Sequence, residues 1–214
     1  GLGECRLTYD ATAALPGELP GGVPAGDGRA WPYVRANVLL TDAGHPSEAL
    51  ALHRHLVDRA RAEGHERRLA AALANLGAAL LGGDDDDEAL AAFAETEQLA
   101  RRLGDDALLQ VALGNQGAAL RARADHQGAL AKMAEEEAIC RRLGDLTGLQ
   151  ASRGNQGAVA VDRRDYAPAT ARFDEQERVA RQLGDATLVN RALANQAQVL
   201  ADRGDPEAAL ALLA

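Results

Sequence analysis

Aromatic residues are scarce in this chain. Only 3% of its 214 residues are Phe, Trp or Tyr, although 47% are hydrophobic. Ala and Leu therefore supply most of the apolar content, and both favour helices, whereas strands favour aromatic and β-branched residues. The composition argues against a β-sheet protein and predicts an all-α fold.

Cysteine, net basic charge and long apolar runs are also lacking. Cys5 and Cys140 lie far apart without metal-ligand spacing, which predicts a reducing compartment and no metal. The net charge of -9 argues against nucleic-acid binding, because such binding needs a basic surface. No signal peptide is visible, and no apolar run reaches the roughly 18 residues of a membrane span. The sequence therefore predicts a cytoplasmic protein without a membrane contact.

One sequence pattern recurs every forty residues. Arg-Arg-Leu-Gly-Asp occupies 101–105 and 141–145, and Arg-Gln-Leu-Gly-Asp follows at 181–185. Gly-Asn-Gln-Gly occupies both 114–117 and 154–157. A period of this length is typical of helix pairs that stack into a solenoid.

Two kinds of breaker divide each repeat into two predicted helices. At the Leu-Gly-Asp corner, Gly can end one helix in a left-handed conformation and Asp can cap the next. The second breaker lies half a repeat later, as in Gly-Asp-Pro at 204–206. First helices are predicted near 31–43, 66–82, 106–123, 146–163 and 186–203. Second helices are predicted near 46–63, 85–103, 126–143, 166–183 and 206–214.

Small residues predict a close contact within each helix pair. First helices carry Gly77, Gly117, Gly157 and Ala197, and second helices carry Ala89, Ala129, Ala169 and Ala209. Small residues at both positions allow the two backbones to approach. One pair cannot bury its apolar face alone, so stacking of pairs is expected to supply the core.

These residues resemble the tetratricopeptide repeat. The order Asn-Leu-Gly at 75–77, then Leu80, Ala89 and Phe93, is similar to that family's pattern. The forty-residue length and the Leu-Gly-Asp corner resemble its long-repeat branch, which includes Pins-type adaptors, kinesin light chains and bacterial signalling proteins. The resemblance implies an all-α, right-handed α-solenoid of antiparallel helix pairs with about 4.5 repeats.

The resemblance covers residues 31–214. The repeats are expected near 31–64, 65–104, 105–144, 145–184 and 185–214, the last one incomplete. Residues 1–30 are rich in Pro and Gly and are expected to form a linker or the end of a preceding domain. Because the chain begins with Gly1 and ends within a predicted helix, we expect it to be a piece of a longer protein.

Several polar residues depart from the family pattern. Gln replaces the usual Leu at 116, 156 and 196, and Thr96, Glu136 and Gln176 replace the usual Ala. We interpret these residues as polar contacts between neighbouring repeats. The first repeat is degenerate, since Arg35 stands in place of the Asn and His53 in place of the Phe or Met.

The resemblance implies that the first helices line a concave face with a row of asparagines, namely Asn75, Asn115, Asn155 and Asn195. An Asn amide both donates and accepts hydrogen bonds, so such a row can hold an extended peptide backbone. The alternative is that these amides cap or brace adjacent helices. Arg35, Arg121 and Arg191 are predicted on the same face, either selecting an acidic ligand side chain or simply solvated. The family's clamp for a terminal carboxylate is not expected, because Ala74, Gly114 and Gly154 stand where it needs Lys.

The leading hypothesis is a peptide- or protein-binding adaptor that uses this Asn-lined groove. The alternative is a sensor or regulatory segment of a larger bacterial signalling or defence protein, ATPase-type or protease-linked, with an intramolecular or protein partner. A third possibility is a structural element that stacks end to end. Enzymatic activity, a cofactor and a metal are not expected, because no phosphate loop or nucleophile arrangement is present. Leu210, Leu212 and Leu213 predict self-association through the C-terminal end.

Overall fold

Nine α-helices occupy residues 46–81 and 85–213, the ranges that the structure, a computed structural model, describes. They are α1 (Pro46–Ala62), α2 (Glu66–Leu80), α3 (Asp86–Leu103), α4 (Asp106–Ala122), α5 (His126–Leu143), α6 (Leu146–Asp162), α7 (Tyr166–Leu183), α8 (Ala186–Asp202) and α9 (Pro206–Leu213). No strand is found within those ranges. The predicted helix near 31–43, the predicted linker 1–30 and Arg35 lie outside the described residues.

The residues from His53 onwards form one compact unit. In this unit α2 pairs with α3, α4 with α5, α6 with α7, and α8 with α9. Each pair packs on the first helix of the next pair. This arrangement confirms the predicted right-handed α-solenoid of antiparallel helix pairs.

The first helices form the more tightly packed side of this unit. Neighbouring first helices, α2, α4, α6 and α8, contact one another directly. The backbones of the second helices α3, α5, α7 and α9 do not contact one another, and long side chains bridge them instead, as Arg101 and Glu135 do at 2.7 Å. The first helices therefore form one continuous side of the stack.

Each Leu-Gly-Asp corner ends one helix and begins the next, as predicted. Gly104, Gly144 and Gly184 adopt left-handed conformations with φ of 64°, 70° and 68°. The following aspartates accept backbone N–H groups at 3.1 Å from Leu108 to Asp105, 3.0 Å from Gly148 to Asp145 and 3.2 Å from Leu188 to Asp185. These caps satisfy donors that the first turn of a helix leaves unpaired.

The other corner of the repeat carries a strained residue in two places. Ala124 and Arg164 have φ of 60° and 58°, where the next repeat uses Gly204. The left-handed conformation is unfavourable for residues with a Cβ. We expect Ala124→Gly to raise the free energy of unfolding by about 0.5–1 kcal/mol, measured by urea denaturation. The matched control, Gly204→Ala, should lower it; a loss of stability in Ala124→Gly would contradict this interpretation.

The predicted glycines lie at the contact within three helix pairs, but each of them accommodates a large side chain of the second helix. The predicted contact with a small residue is seen at Gly117, where a Cβ would lie 3.4 Å from the Ala129 carbonyl oxygen. A Cβ built on Gly77, Gly117 or Gly157 would lie 2.6 Å from Phe93, 2.8 Å from Met133 or 2.5 Å from Phe173, respectively. The apolar contacts continue into the next pair, because Met133 packs with Val159 and Phe173 with Val199. Stacking therefore does supply the core, as predicted.

Overfilling this contact should destabilise the fold. Gly117→Leu is expected to lower the free energy of unfolding by about 1–3 kcal/mol, because the new side chain overlaps Met133. Gly157→Leu should cost more, since the Phe173 ring has fewer ways to move than Met133. Chemical denaturation measures both, with Ala122→Leu on the exposed end of α4 as the control. An unchanged midpoint in Gly157→Leu would show that the contact is misplaced.

Candidate functional site

The four asparagines lie at corresponding places on α2, α4, α6 and α8. Asn75 is exposed and the other three are partly exposed. Asn195 donates to Gln176 Oε1 at 3.0 Å, so this amide does brace a neighbouring repeat. The side-chain amides of Asn75, Asn115 and Asn155 form no hydrogen bond with another residue in the described part of the chain. Their donors and acceptors are therefore available to a ligand.

The surface around these amides is made of small side chains. Ala78 is exposed, and Gly114, Ala118 and Ala158 are partly exposed on the same first helices. Val111, one turn before Asn115, is 47% exposed and adds an apolar contact that sequence reasoning missed. A peptide backbone can approach such a surface closely.

The predicted arginines divide into different environments. Arg121 donates to Asp162 through Nε at 2.6 Å and Nη2 at 3.1 Å, which ties α4 to α6. Arg191 is exposed and forms no ion pair with a residue in the described ranges. Arg191 is thus available to an acidic group on a ligand, whereas Arg121 already has a carboxylate partner.

A repeated Gln–Glu hydrogen bond joins successive helix pairs. Gln116 donates to Glu97 at 2.7 Å, Gln156 to Glu137 at 2.9 Å and Gln196 to Glu177 at 2.9 Å. Each bond runs from a first helix to the second helix of the preceding pair, which confirms the predicted polar contact between repeats. The glutamates were not predicted, although their constant distance of 19 residues from each Gln is a signal that the sequence contains.

The first of these glutamates is strongly held in its ionised form. Burial by itself would raise the pKa of Glu97. Hydrogen bonds from Lys132, Gln116 and Arg101 outweigh burial and lower the pKa to about 2. The Glu97 carboxylate is therefore charged throughout the neutral and mildly acidic pH range.

A second row of polar side chains lies deeper, with one residue on each of α3, α5 and α7. Thr96 donates to the Ala92 carbonyl at 2.8 Å. Gln176 donates to Gln150 Oε1 at 3.2 Å and accepts from Asn195. Glu136 is 6% exposed, and its Oε2 has no hydrogen-bond partner. These residues were predicted to form polar contacts between repeats. Gln176 does so through Asn195 and Glu136 through Ser152, whereas Thr96 bonds within its own repeat.

The environment of Glu136 opposes ionisation. Burial raises the pKa of its carboxyl to about 7, and the nearby Asp145 and Glu137 add to the effect. A hydrogen bond with Ser152 acts in the opposite direction. Glu136 is therefore a buried carboxyl that titrates near neutral pH.

Arg153 replaces a core leucine in the middle of the array. The other repeats have Leu73, Leu113 and Leu193 at this place. Arg153 is only 5% exposed and lies 3.4 Å from Glu137 and 3.2 Å from Glu175. Its Nε and Nη1 atoms are buried without a hydrogen-bond partner. Sequence reasoning missed this residue, although Arg in a Leu column of the repeat is visible in the sequence.

The comparison with protein families decides the identification. A family described as anaphase-promoting complex subunit 5 matches residues 40–123 and 148–203. The chain belongs to this family. The family is tetratricopeptide-like, which confirms the repeat type recognised in the sequence. A comparison with curated protein sequences finds no significant match.

Solved structures of low sequence identity share the fold of this family member. A putative kinesin light chain from Podosopora anserina with nearly identical TPR-like repeats has a TM-score of 0.72 and 13% identity, over 86% of this chain and 91% of that one. A Rap protein complexed with competence and sporulation factor has a TM-score of 0.74 and 12% identity, over 84% and 50%. A signal transduction ATPase with numerous domains and a tetratricopeptide repeat sensor, from Pyrococcus horikoshii, has a TM-score of 0.70 and 15% identity, over 84% and 28%.

Other features of the described ranges do not suggest a second site. A cleft of about 290 Å³ between α1, α2 and α3 is flanked by the Arg61–Glu95 and Arg102–Glu66 ion pairs. Within the described residues no group of His, Cys, Asp and Glu is arranged to hold a metal ion. None of the described helices combines the length and apolar character of a membrane span.

Apolar side chains are exposed on α9. Leu210 is 70% exposed and Leu213 is 56% exposed, whereas Phe173, one repeat before Leu213, is buried. The predicted self-association through these leucines stays a prediction.

Proposed function

We propose that this chain is a protein-interaction module that holds an extended stretch of polypeptide along its Asn-lined face. The observation that carries this proposal is the state of Asn75, Asn115 and Asn155. They lie in one row, exposed or partly exposed, and none of their side-chain amides is hydrogen-bonded to another described residue. Mid-helix asparagine is unfavourable for helix stability, so three such residues without an internal partner suggest a role outside the fold.

The chemistry of the face favours an extended backbone as ligand. Each Asn amide can donate to a peptide carbonyl and accept from a peptide N–H. The glycine and alanines beside the row leave room for a backbone and offer little contact with ligand side chains. Val111 supplies one apolar contact, and Arg191 supplies a positive charge two repeats further on.

A regulatory segment of a larger signalling protein is the second candidate. One similar structure is a signal transduction ATPase that carries a tetratricopeptide repeat sensor, and this chain covers 28% of its length. In that case the polypeptide held by the face belongs to the same protein. The Rap protein, which is similar over half of its length, was solved in complex with competence and sporulation factor.

Loss of two side-chain amides from the Asn-lined face should weaken peptide binding. Peptides selected from a random display library on the wild-type protein serve as probes. Each lost hydrogen bond costs on the order of 1 kcal/mol, so Asn115→Ala with Asn155→Ala should weaken binding roughly 30-fold, as measured by calorimetry. The double mutant should remain folded, because the structure shows no side-chain hydrogen bond from either amide to another described residue.

The matched control removes two amides elsewhere. Gln127 and Gln182 are exposed on the second helices α5 and α7, so their replacement by Ala should leave the affinity unchanged. Equal affinity of the Asn115/Asn155 double mutant would move the binding site off this face. If the wild-type protein selects no peptide from the library, the proposal that it binds an extended peptide is wrong.

A further inference from the structure

Glu136 lies beneath the Asn-lined face, at the junction of three helices. It extends from α5 towards Gly114 on α4, where a Cβ would lie 2.5 Å from its Oε1 atom. On its other side, Ser152 of α6 forms a hydrogen bond with the Glu136 carboxyl. Its Oε2 atom is buried and unpartnered in the described ranges. A buried carboxyl oxygen without a hydrogen bond is unfavourable and uncommon, so its surroundings call for an explanation.

The corresponding residue of the next repeat shows what this position can contact. Gln176 extends from α7 towards Gly154, just as Glu136 extends towards Gly114. The Oε1 atom of Gln176 accepts a hydrogen bond of 3.0 Å from Asn195, which lies 19 residues further along the chain. The residue 19 positions after Glu136 is Asn155. Asn155 is partly exposed, and its side-chain amide has no hydrogen bond to any other described residue.

We propose that Glu136 is a positioning residue for Asn155 and decides which end of that amide faces the ligand. This inference deepens the proposed function and rests on it, since it concerns the same Asn-lined face. The structure shows no hydrogen bond between these two side chains, so the proposed contact forms when the Asn155 amide turns towards Oε2 of Glu136. Because a carboxylate only accepts hydrogen bonds, ionised Glu136 then holds the Nδ2 group of Asn155 and leaves Oδ1 facing outwards. A protonated carboxyl donates to Oδ1 and leaves the Nδ2 group facing outwards.

Both forms of Glu136 are present near neutral pH. Burial, together with Asp145 and Glu137, raises the pKa of this carboxyl to about 7, and Ser152 opposes the shift. The remaining titratable neighbour, Cys140, is neutral there, because burial and nearby acidic groups raise the pKa of its thiol to about 12. As the pH rises through 7, Asn155 therefore changes from a hydrogen-bond donor to an acceptor towards the ligand.

The Asn-lined face then has one contact that changes with pH, at Asn155, next to one that does not, at Asn195. Gln176 carries no titratable proton, so the bond from Asn195 keeps its direction and Oδ1 of Asn195 faces outwards at every pH. The ligand segment over Asn155 presents a backbone carbonyl below pH 7 and a backbone N–H above it. A peptide that places an N–H over both Asn155 and Asn195 is therefore selected above neutral pH.

The test observes the side-chain amides directly by ¹⁵N NMR from pH 5.5 to 8.5, without a ligand. The Nδ2 signals of Asn155, identified by their loss in Asn155→Ser, should titrate with a midpoint near 7 in the wild type. They should be flat in Glu136→Gln, which copies the residue at 176. Asn195 should be flat in both proteins, and the reciprocal variant Gln176→Glu should make it titrate.

Two results would overturn the inference: Asn155 signals that do not titrate in the wild type, or signals that titrate equally in Glu136→Gln. The reciprocal variant keeps the test decisive if Glu136→Gln does not fold, since Asn195 signals that stay flat in Gln176→Glu would also contradict it. No peptide is needed, so failure here and failure of peptide binding are separate outcomes. Binding with a flat Asn155 signal would remove the role of Glu136 and leave the proposed function standing.

Discussion

Glu137→Ala is expected to lower the free energy of unfolding by on the order of 3 kcal/mol. Glu137 is buried and lies 3.4 Å from Arg153, whose guanidinium is also buried. Removing one partner of a buried ion pair leaves the other charge poorly compensated. Glu175 still lies 3.2 Å from Arg153, but its side chain is 42% exposed and compensates only in part. Urea denaturation measures the effect.

Two further variants separate the buried pair from surface charges. Glu135→Ala removes an exposed carboxylate paired with Arg101, so we expect a loss below about 1 kcal/mol. Arg153→Leu restores the leucine found at 73, 113 and 193, and replacing a buried charge with a well-packed apolar residue is often neutral or stabilising. Equal losses in Glu137→Ala and Glu135→Ala would contradict the importance of the buried pair.

Stability is expected to fall as the pH rises from about 4.5 to about 7, because of Glu136. Its pKa is about 7 in the folded protein and 4.5 as an ordinary carboxyl. Between these values the unfolded chain releases a proton that the folded protein keeps, so unfolding becomes easier as the pH rises. The loss is complete above pH 7 and amounts to about 3 kcal/mol at most.

Glu136→Gln isolates this contribution. The variant should match the wild type near pH 4.5 and should be more stable at pH 8, as measured by urea denaturation at both pH values. Glu97 acts in a different window, because its lowered pKa of about 2 removes stability only as the pH falls below about 4.5. A constant difference between variant and wild type across the pH range would contradict the raised pKa of Glu136.

The helices and corners were predictable because their signals are local. A glycine that ends a helix and an aspartate that caps the next act within a few residues, and Gly104 with Asp105 shows both effects. The repeat then fixes the packing, since each of the three glycines meets the side chain at the same position of its second helix: Phe93, Met133 or Phe173.

The polar network was only half predictable, because it depends on contacts between helices. The departure of Gln116 from an apolar pattern marked it as a polar contact, but its partner Glu97 belongs to a charged second helix with many similar residues. The burial of Arg153 and the missing partner of Glu136 depend on the packing of three helices. The sequence did not indicate a carboxylate partner for Arg121, because Asp162 is 41 residues away and meets it only when α4 packs beside α6.

The most direct test of the proposed function is NMR mapping of a library-selected peptide on the wild-type protein. The side-chain amide signals of Asn75, Asn115 and Asn155 should shift on titration, together with the backbone signals of Gly114 and Gly154. The side-chain signals of Gln127 and Gln182 should stay in place. Shifts confined to the second helices, or to the cleft beside Arg61 and Arg102, would contradict binding along the asparagine row.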